Sequence, residues 1–288
     1  MNKQEFLDEA KEYVEACFEQ FKEYQENVND VLDAFHDLCK KNGLHYYVSY
    51  GSLLGLIRDG GDIPWDYDID VLVPITEREK LLNVLDSNLP DEYYYAYTTN
   101  MKDYPAECLR LCKKGCSYMA LHLDVFFCIG TPDDKESREK FIKKLIRISL
   151  IRSGKYIDSH LESEVSHSKM RKISSAVNKV RYMFVSHRHL MRVEDKLSTM
   201  YPFGKTEKCT VLASVTYDFD YSFLGEGKDI RIGDKVRTVP VNPEGFLKNS
   251  YGDYKKYFPI KNRFEEFYNM KNIVDQRQKY YREHQMKK

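Results

Sequence analysis

The stretch Val48–Val73, VSYGSLLGLIRDGGDIPWDYDIDVLV, constrains this chain more than any other, because it closes on three aspartates, Asp66, Asp68 and Asp70, at alternate positions. In an extended run alternate side chains share a face, so the spacing predicts three carboxylates on one side of a strand and Tyr67, Ile69 and Val71 on the other. Such residues also form polar turns closed by local hydrogen bonds, but the apolar alternation through Ile69, Val71 and Val73 argues for a strand. Burying like charges without partners is costly and favours protonation. A divalent cation relieves that cost. Carboxylate oxygens with no Cys or His at ligand spacing beside them predict Mg²⁺, with Mn²⁺ as the alternative.

The first half of the stretch supplies a second requirement. Tyr46–Val48 reads as a strand, and Gly51-Ser52 as a turn opening a short apolar helix, Leu53–Ile57. That arrangement presents free backbone N–H groups to an anion, with the Ser52 hydroxyl as a further donor. Gly60-Gly61 and Pro64 then turn the chain back towards the aspartates. A phosphate cradle next to a metal site predicts phosphoryl or nucleotidyl transfer. Asp124 is a further candidate: it is the only carboxylate in an otherwise apolar and aromatic strand, Tyr118–Cys128, and a metal or general-base role would explain it.

The string GSLLGLIRDGGDIPWDYDID resembles the LicD family of phosphotransferases, which includes the fukutin-type proteins and lies within the nucleotidyltransferase fold. Arg110-Leu111 and Leu123-Asp124-Val125-Phe126 resemble two further strands of that family. Val239-Pro240-Val241-Asn242, Phe246-Leu247 and Tyr251-Gly252-Asp253-Tyr254 resemble its closing motif, whereas positions 136–234 carry no such signature. The resemblance implies an α+β protein with a nucleotidyltransferase-like mixed sheet flanked by helices. It also implies transfer of a phospho-alcohol group, such as phosphocholine or a polyol phosphate, from a CDP-activated donor to a hydroxyl of a cell-surface glycan or its precursor. Asp66, Asp68 and Asp70 would then hold Mg²⁺ on the donor pyrophosphate, with Gly51, Ser52 and Arg58 at the phosphates. Arg58 and Arg110 are candidates to stabilise charge on the transferred group, and Asp124 is a candidate base or extra metal ligand. The rival reading on the same fold is transfer of NMP from an NTP to a small-molecule hydroxyl; a binding protein on a decayed enzyme scaffold is a third.

The remaining sequence bounds these readings. The 45 basic residues cancel the 45 acidic ones, which argues against general binding to nucleic acid. Nothing approaches an apolar span of bilayer length, and the first twenty residues show helical charge patterning, so a cytoplasmic protein is expected, with contact at the inner membrane face through a lipid-linked acceptor. The seven cysteines read as reduced thiols, and the spacing of Cys108, Cys112 and Cys116 as a coincidence of strand and turn rather than a zinc site. Apolar periodicity predicts helix over 3–41, ending at Gly43, and a second helix capped by Thr76 and closed by Pro90. His36 and His45 read as structural. Strands are expected at Tyr93–Thr98 and Cys108–Cys112, and a hairpin about Gly233-Asp234. The expected organisation is a catalytic core over 1–133 and a helical subdomain over 134–203, broken at Ser153-Gly154 and Ser159–Ser168. The part over 204–288 would complete the catalytic domain and end in a basic helical tail. Basic residues of the middle region would form solvated helix faces or a patch for an anionic substrate.

Overall fold

The computed structural model describes residues 3–63, 66–101, 104, 106–156, 177–178, 180–213, 217–257 and 264–285. Helix α1 spans Lys3–Asn42. Its second half buries Val28, Val31, Leu32, Phe35 and Leu38, a near 3.6-residue stripe that packs against the sheet, and Gly43 ends it at φ 57°.

Among the described residues the main sheet has seven strands. Strand β1 (Tyr47–Val48) pairs antiparallel with β2 (Ile69–Pro74), and β2 runs parallel to the long central strand β5 (Leu123–Gly130). Beyond β5 lie β4 (Leu109–Lys113) and β3 (Tyr93–Ala96), both antiparallel to their neighbours. The far end of β5 pairs with β6 (Lys208–Val211), which pairs with β7 (Phe219–Asp220). The sheet is therefore mixed and the architecture α+β, as the strand clustering predicts. The β2–β5 parallel pair requires a crossover, and the chain makes it through α3 (Arg78–Asn88) and the β3–β4 hairpin.

Between β1 and β2 runs helix α2 (Tyr50–Leu54), extended by a π-helical turn, Gly55–Asp59. Helices α4 (Lys135–Tyr156) and α5 (His187–Ser198) pack together, and Phe141, Leu145 and Leu197 enter the same hydrophobic core as the sheet. A short α6 (Tyr221–Leu224), the hairpin of β8 (Lys228–Ile232) and β9 (Lys235–Val239), α7 (Pro243–Tyr251) and α8 (Phe264–Gln285) complete the chain. The hairpin turns at Gly233, φ 59°, as expected, and Asn242 caps α7 by accepting the Gly245 N–H at 2.9 Å.

Four expectations change. Only Asp70 of the three aspartates lies within β2, because Asp66 and Asp68 belong to the incoming loop. Residues 118–120 form a turn, so the strand carrying Asp124 starts at Leu123. Thr76 falls inside a 3₁₀ turn, Ile75–Glu77, rather than capping α3. Helix α4 continues through Ser153-Gly154, where glycine serves close packing instead of a break: a Cβ at Gly154 would stand 3.2 Å from the Asn178 Cβ. Pro64, Trp65 and the Ser159–Ser168 run lie outside the described residues.

Candidate active site

The site is built on the corner between β1 and α2. Tyr50 holds φ 47°, a left-handed conformation unusual for a non-glycine residue, with its ring packed against Phe126 and Phe246. The next residue must be small: a Cβ on Gly51 would lie 3.0 Å from Asp66 Oδ2. Gly55 is tighter still, since its Cβ would meet the Gly61 carbonyl oxygen at 2.5 Å and the Ile63 nitrogen at 3.0 Å. The glycines of the GSLLG run thus let α2 lie directly against the loop that delivers the aspartates.

Hydrogen bonds fasten that contact. The Asp70 N–H donates to Ser52 Oγ at 3.0 Å, and the Ser49 N–H donates to the Asp70 carbonyl at 2.9 Å. Ser52 is therefore buried as a brace for β2, and its hydroxyl proton remains to be donated. From α1, Gln25 Nε2 donates to the carbonyls of Ile63 and Asp66 at 2.7 and 2.9 Å, fixing the loop from the other side.

Across the sheet the charged residues fall in one row. Asp70 on β2 stands opposite Asp124 on β5, and Asp124 opposite Arg110 on β4, so the three side chains share a face. Arg110 Nε donates to Asp124 Oδ1 at 2.9 Å, while Arg110 Nη1 reaches the Tyr118 carbonyl at 3.0 Å. Cys108 Sγ donates to the same Asp124 oxygen at 3.0 Å. His122, immediately before β5, sets its Nε2 3.3 Å from Asp124 Oδ1. Ligand atoms of Asp68, His122 and Asp124 all lie within 4.8 Å of one another.

Electrostatics separate these carboxylates into two kinds. Burial and the neighbouring Asp68 push Asp66 well above the usual carboxylate range, and burial with the charges of Asp68 and Asp124 does the same to Asp70. Asp68 is also raised, by burial first and then by Asp124. For Asp124 burial acts in the same direction, but the charges of Arg110 and His122 outweigh it and hold its carboxyl below the usual range.

This donor set fits a divalent cation. Four acidic side chains crowd one recess with Arg110 as the fixed cation among them, and repulsion among them is what a metal would remove. The His122 ring is 3 % exposed, and its Nδ1 has no hydrogen-bond partner among the described residues. No histidine stands beside the aspartates in the sequence; His122, just before β5, lies about fifty residues further on, which local spacing does not reveal. Its presence makes the set of Asp68, His122 and Asp124 two oxygens and one nitrogen, a combination that suits Mn²⁺ better than an all-oxygen site does.

The other expected residues lie around this centre. Arg58, on the π turn, pairs with Asp59 through Nη2 at 2.8 Å and stacks its guanidinium 4.3 Å from the centre of the Tyr257 ring. Tyr257 in turn donates its hydroxyl to Asp59. Through these contacts its fork fastens the segment after α7 onto the π turn that extends α2. From the closing motif, Tyr251 comes near the aspartates: burial and the charges of Asp70 and Asp66 push its hydroxyl up.

Comparison with known proteins places residues 43–144 in a family described as LicD/FKTN/FKRP, nucleotidyltransferase domain. The chain is 29 % identical over 130 residues to the lipopolysaccharide cholinephosphotransferase LicD of Haemophilus influenzae, covering 42 % of this chain and 49 % of that protein. It is 33 % identical over 67 residues to mannosyltransferase regulator 4 of Saccharomyces cerevisiae, covering 23 % of this chain and 6 % of the yeast protein. An uncharacterised protein of Rickettsia prowazekii is 29 % identical over 121 residues, covering 40 % of each. The chain thus spans about half or less of the length of the curated relatives it matches.

Proposed function

We propose, from the premise that residues 43–144 are a LicD-family nucleotidyltransferase domain, that this protein transfers a phospho-alcohol group from a CDP-activated donor to a hydroxyl of a surface glycan or its precursor. The observation that carries this reading is the convergence of Asp68, His122 and Asp124 beside Asp66 and Asp70, next to the glycine-lined corner of α2. Asp68, His122 and Asp124 would hold Mg²⁺ or Mn²⁺, with Asp66 and Asp70 supplying further carboxylates to the same recess. When bound, the cation supplies neutralisation of charge on the donor's pyrophosphate oxygens.

The chain's own residues do the rest. Arg110 keeps Asp124 ionised and oriented, which favours Asp124 as a metal ligand over the base it could otherwise be: a carboxylate stabilised in its charged form takes up a proton poorly. Ser52, braced against β2, directs its hydroxyl proton to the donor phosphate, while Gly51, having no side chain, lets the Asp66 carboxylate pack against the backbone of α2. Arg58 acts at one remove by clamping the segment that carries Tyr257. Among the described residues no helix is long and apolar enough to cross a membrane. We place the reaction in the cytoplasm.

Incubation with a panel of CDP-alcohols, a sugar acceptor and Mg²⁺ or Mn²⁺ tests the reading by its products. CMP release with a phospho-alcohol on the acceptor supports it. The family's description also favours a second reading, nucleotidyl transfer, in which an NTP is consumed and pyrophosphate released.

A further inference from the structure

Outside this site the feature that stands out is a fixed apolar turn set in one-signed charge. The chain as a whole is neutral, yet positions 165–193 contain seven Lys or Arg and no Asp or Glu. Within the described part of that run, Val180, Met183 and Phe184 are 68, 57 and 89 % exposed, although they lie within five residues of one another. An exposed Phe at this level, beside two other exposed apolar side chains, is not ordinary surface.

The turn is folded and anchored. Tyr182 N–H donates to the Asn178 carbonyl at 2.9 Å and Val185 N–H to the Tyr182 carbonyl at 3.0 Å. From beneath, Lys155 Nζ of α4 donates to the carbonyls of Tyr182 and Met183 at 3.2 and 3.3 Å. The backbone therefore faces the protein while the apolar side chains project outward. Around them Arg181, Arg188 and Arg192 are all exposed. The first acids that follow do not neutralise them, because Glu194 pairs with the buried Arg152 and Asp195 with Arg78.

We infer that this turn and the start of α5 form a docking surface for an anionic lipid bilayer, with Phe184 and Met183 entering the boundary between headgroups and acyl chains and Arg181, Arg188 and Arg192 held by lipid phosphates. Charge complementarity selects an anionic partner, and the projecting aromatic group selects one with an apolar interior; a polyanion without lipid satisfies the arginines and leaves Phe184 in water. The inference is independent of the transfer reaction, since no residue of the surface belongs to the site described above.

Co-sedimentation of the whole chain with vesicles of phosphatidylcholine alone, or with roughly one-third phosphatidylglycerol, tests it. Binding is expected only to the anionic vesicles and to weaken as salt rises. Phe184→Ser should reduce partitioning roughly tenfold, and Arg181→Glu with Arg188→Glu by more than about tenfold, with unfolding curves unchanged because all three side chains are exposed. Three results overturn the inference: no preference for anionic vesicles; binding that Phe184→Ser leaves intact; or retention on heparin or single-stranded nucleic acid without vesicle binding. Self-association reversed by Phe184→Ser, again without vesicle binding, overturns it in favour of a contact between two copies.

Discussion

Arg110 and Asp124 stand opposite each other in the register of β4 and β5, and Arg110 Nε donates to Asp124 Oδ1 at 2.9 Å. Because Asp70 faces Asp124 from the other side, a single row of three strands carries one cation and two carboxylates. The pair makes Asp124 the carboxylate of the cluster whose charge is balanced by the protein itself, while Asp66, Asp68 and Asp70 rely on protons or a metal.

Asp124→Asn is accordingly expected to act on two levels. It leaves Arg110 largely buried without its counter-charge, a change that costs roughly 3 kcal/mol in comparable buried pairs, so chemical denaturation should show a less stable fold. It also removes one ligand, so Mn²⁺ affinity by calorimetry should fall together with turnover. Loss of turnover at unchanged metal and donor affinity would instead restore Asp124 to the role of base.

His122→Gln tests the nitrogen in the proposed ligand set. The wild-type protein should melt at higher temperature with Mn²⁺ than without, since a cation at about a hundred times its dissociation constant adds roughly 2.7 kcal/mol to the native state, and EDTA should reverse the shift. The variant should lose most of the Mn²⁺ shift and keep more of any Mg²⁺ shift, because the imidazole matters less to the harder ion. Equal Mn²⁺ shifts in both proteins reject His122 as a ligand.

Much of this site was legible in the chain, for physical reasons that differ from residue to residue. The α1 stripe through Val28, Leu32 and Phe35 and the hairpin at Gly233 are local patterns, and local patterns survive folding. The aspartate run pointed to the recess, but its simple alternation overextended β2: the loop fixed by Gln25 and the tight packing at Gly51 and Gly55 take Asp66 and Asp68 out of the strand. Arg110 and Asp124 are 14 residues apart in sequence and meet only through the sheet register, and His122 meets Asp68 only because each stands just before one of the paired strands β5 and β2.

The two glycines of the corner should respond differently to alanine. Gly55→Ala drives a methyl group into backbone atoms of Gly61 and Ile63, which have no rotamer to yield, and a loss of about 2–3 kcal/mol in unfolding free energy is expected. Gly51→Ala meets only the carboxylate of Asp66 at 3.0 Å, which can swing away. Its stability should change by less than about 1 kcal/mol while metal affinity drops. Equal stability losses in the two variants would mean that the corner does not pack as described.

Arg58→Lys separates anchoring from phosphate binding. A lysine keeps the charge but loses the planar stack on Tyr257 and the fork on Asp59, so stability should fall by about 1 kcal/mol and proteolysis should quicken in the segment around Tyr257. Donor affinity, measured with a CDP-alcohol, should change little. A large fall in donor affinity with unchanged stability would return the guanidinium to the phosphates.

The last prediction uses pH away from the metal recess. Asp33 on α1 pairs with Lys235 and with Arg237 Nη1 on β9, and Arg237 is 3 % exposed. Burial raises the Asp33 carboxyl, but the hydrogen bonds from Lys235 and Arg237 outweigh it and hold its pKa below the ordinary 3.8. A depressed folded pKa means that the unfolded chain binds more protons in that window, so the stabilisation is complete above 3.8 and is lost as pH falls through the lower folded value. Asp33→Asn should therefore melt several degrees below wild type at neutral pH, with the gap unchanged down to about pH 5 and narrowing at more acid pH. The variant also leaves the buried Arg237 with neutral acceptors, the Val236 carbonyl and Asn29 Oδ1, each at 3.1 Å, so the loss should be larger than for an exposed ion pair. Melting temperatures of both proteins across that range decide it: a gap that stays constant to about pH 2.5 would show that the charge on Asp33 does not hold the hairpin to α1.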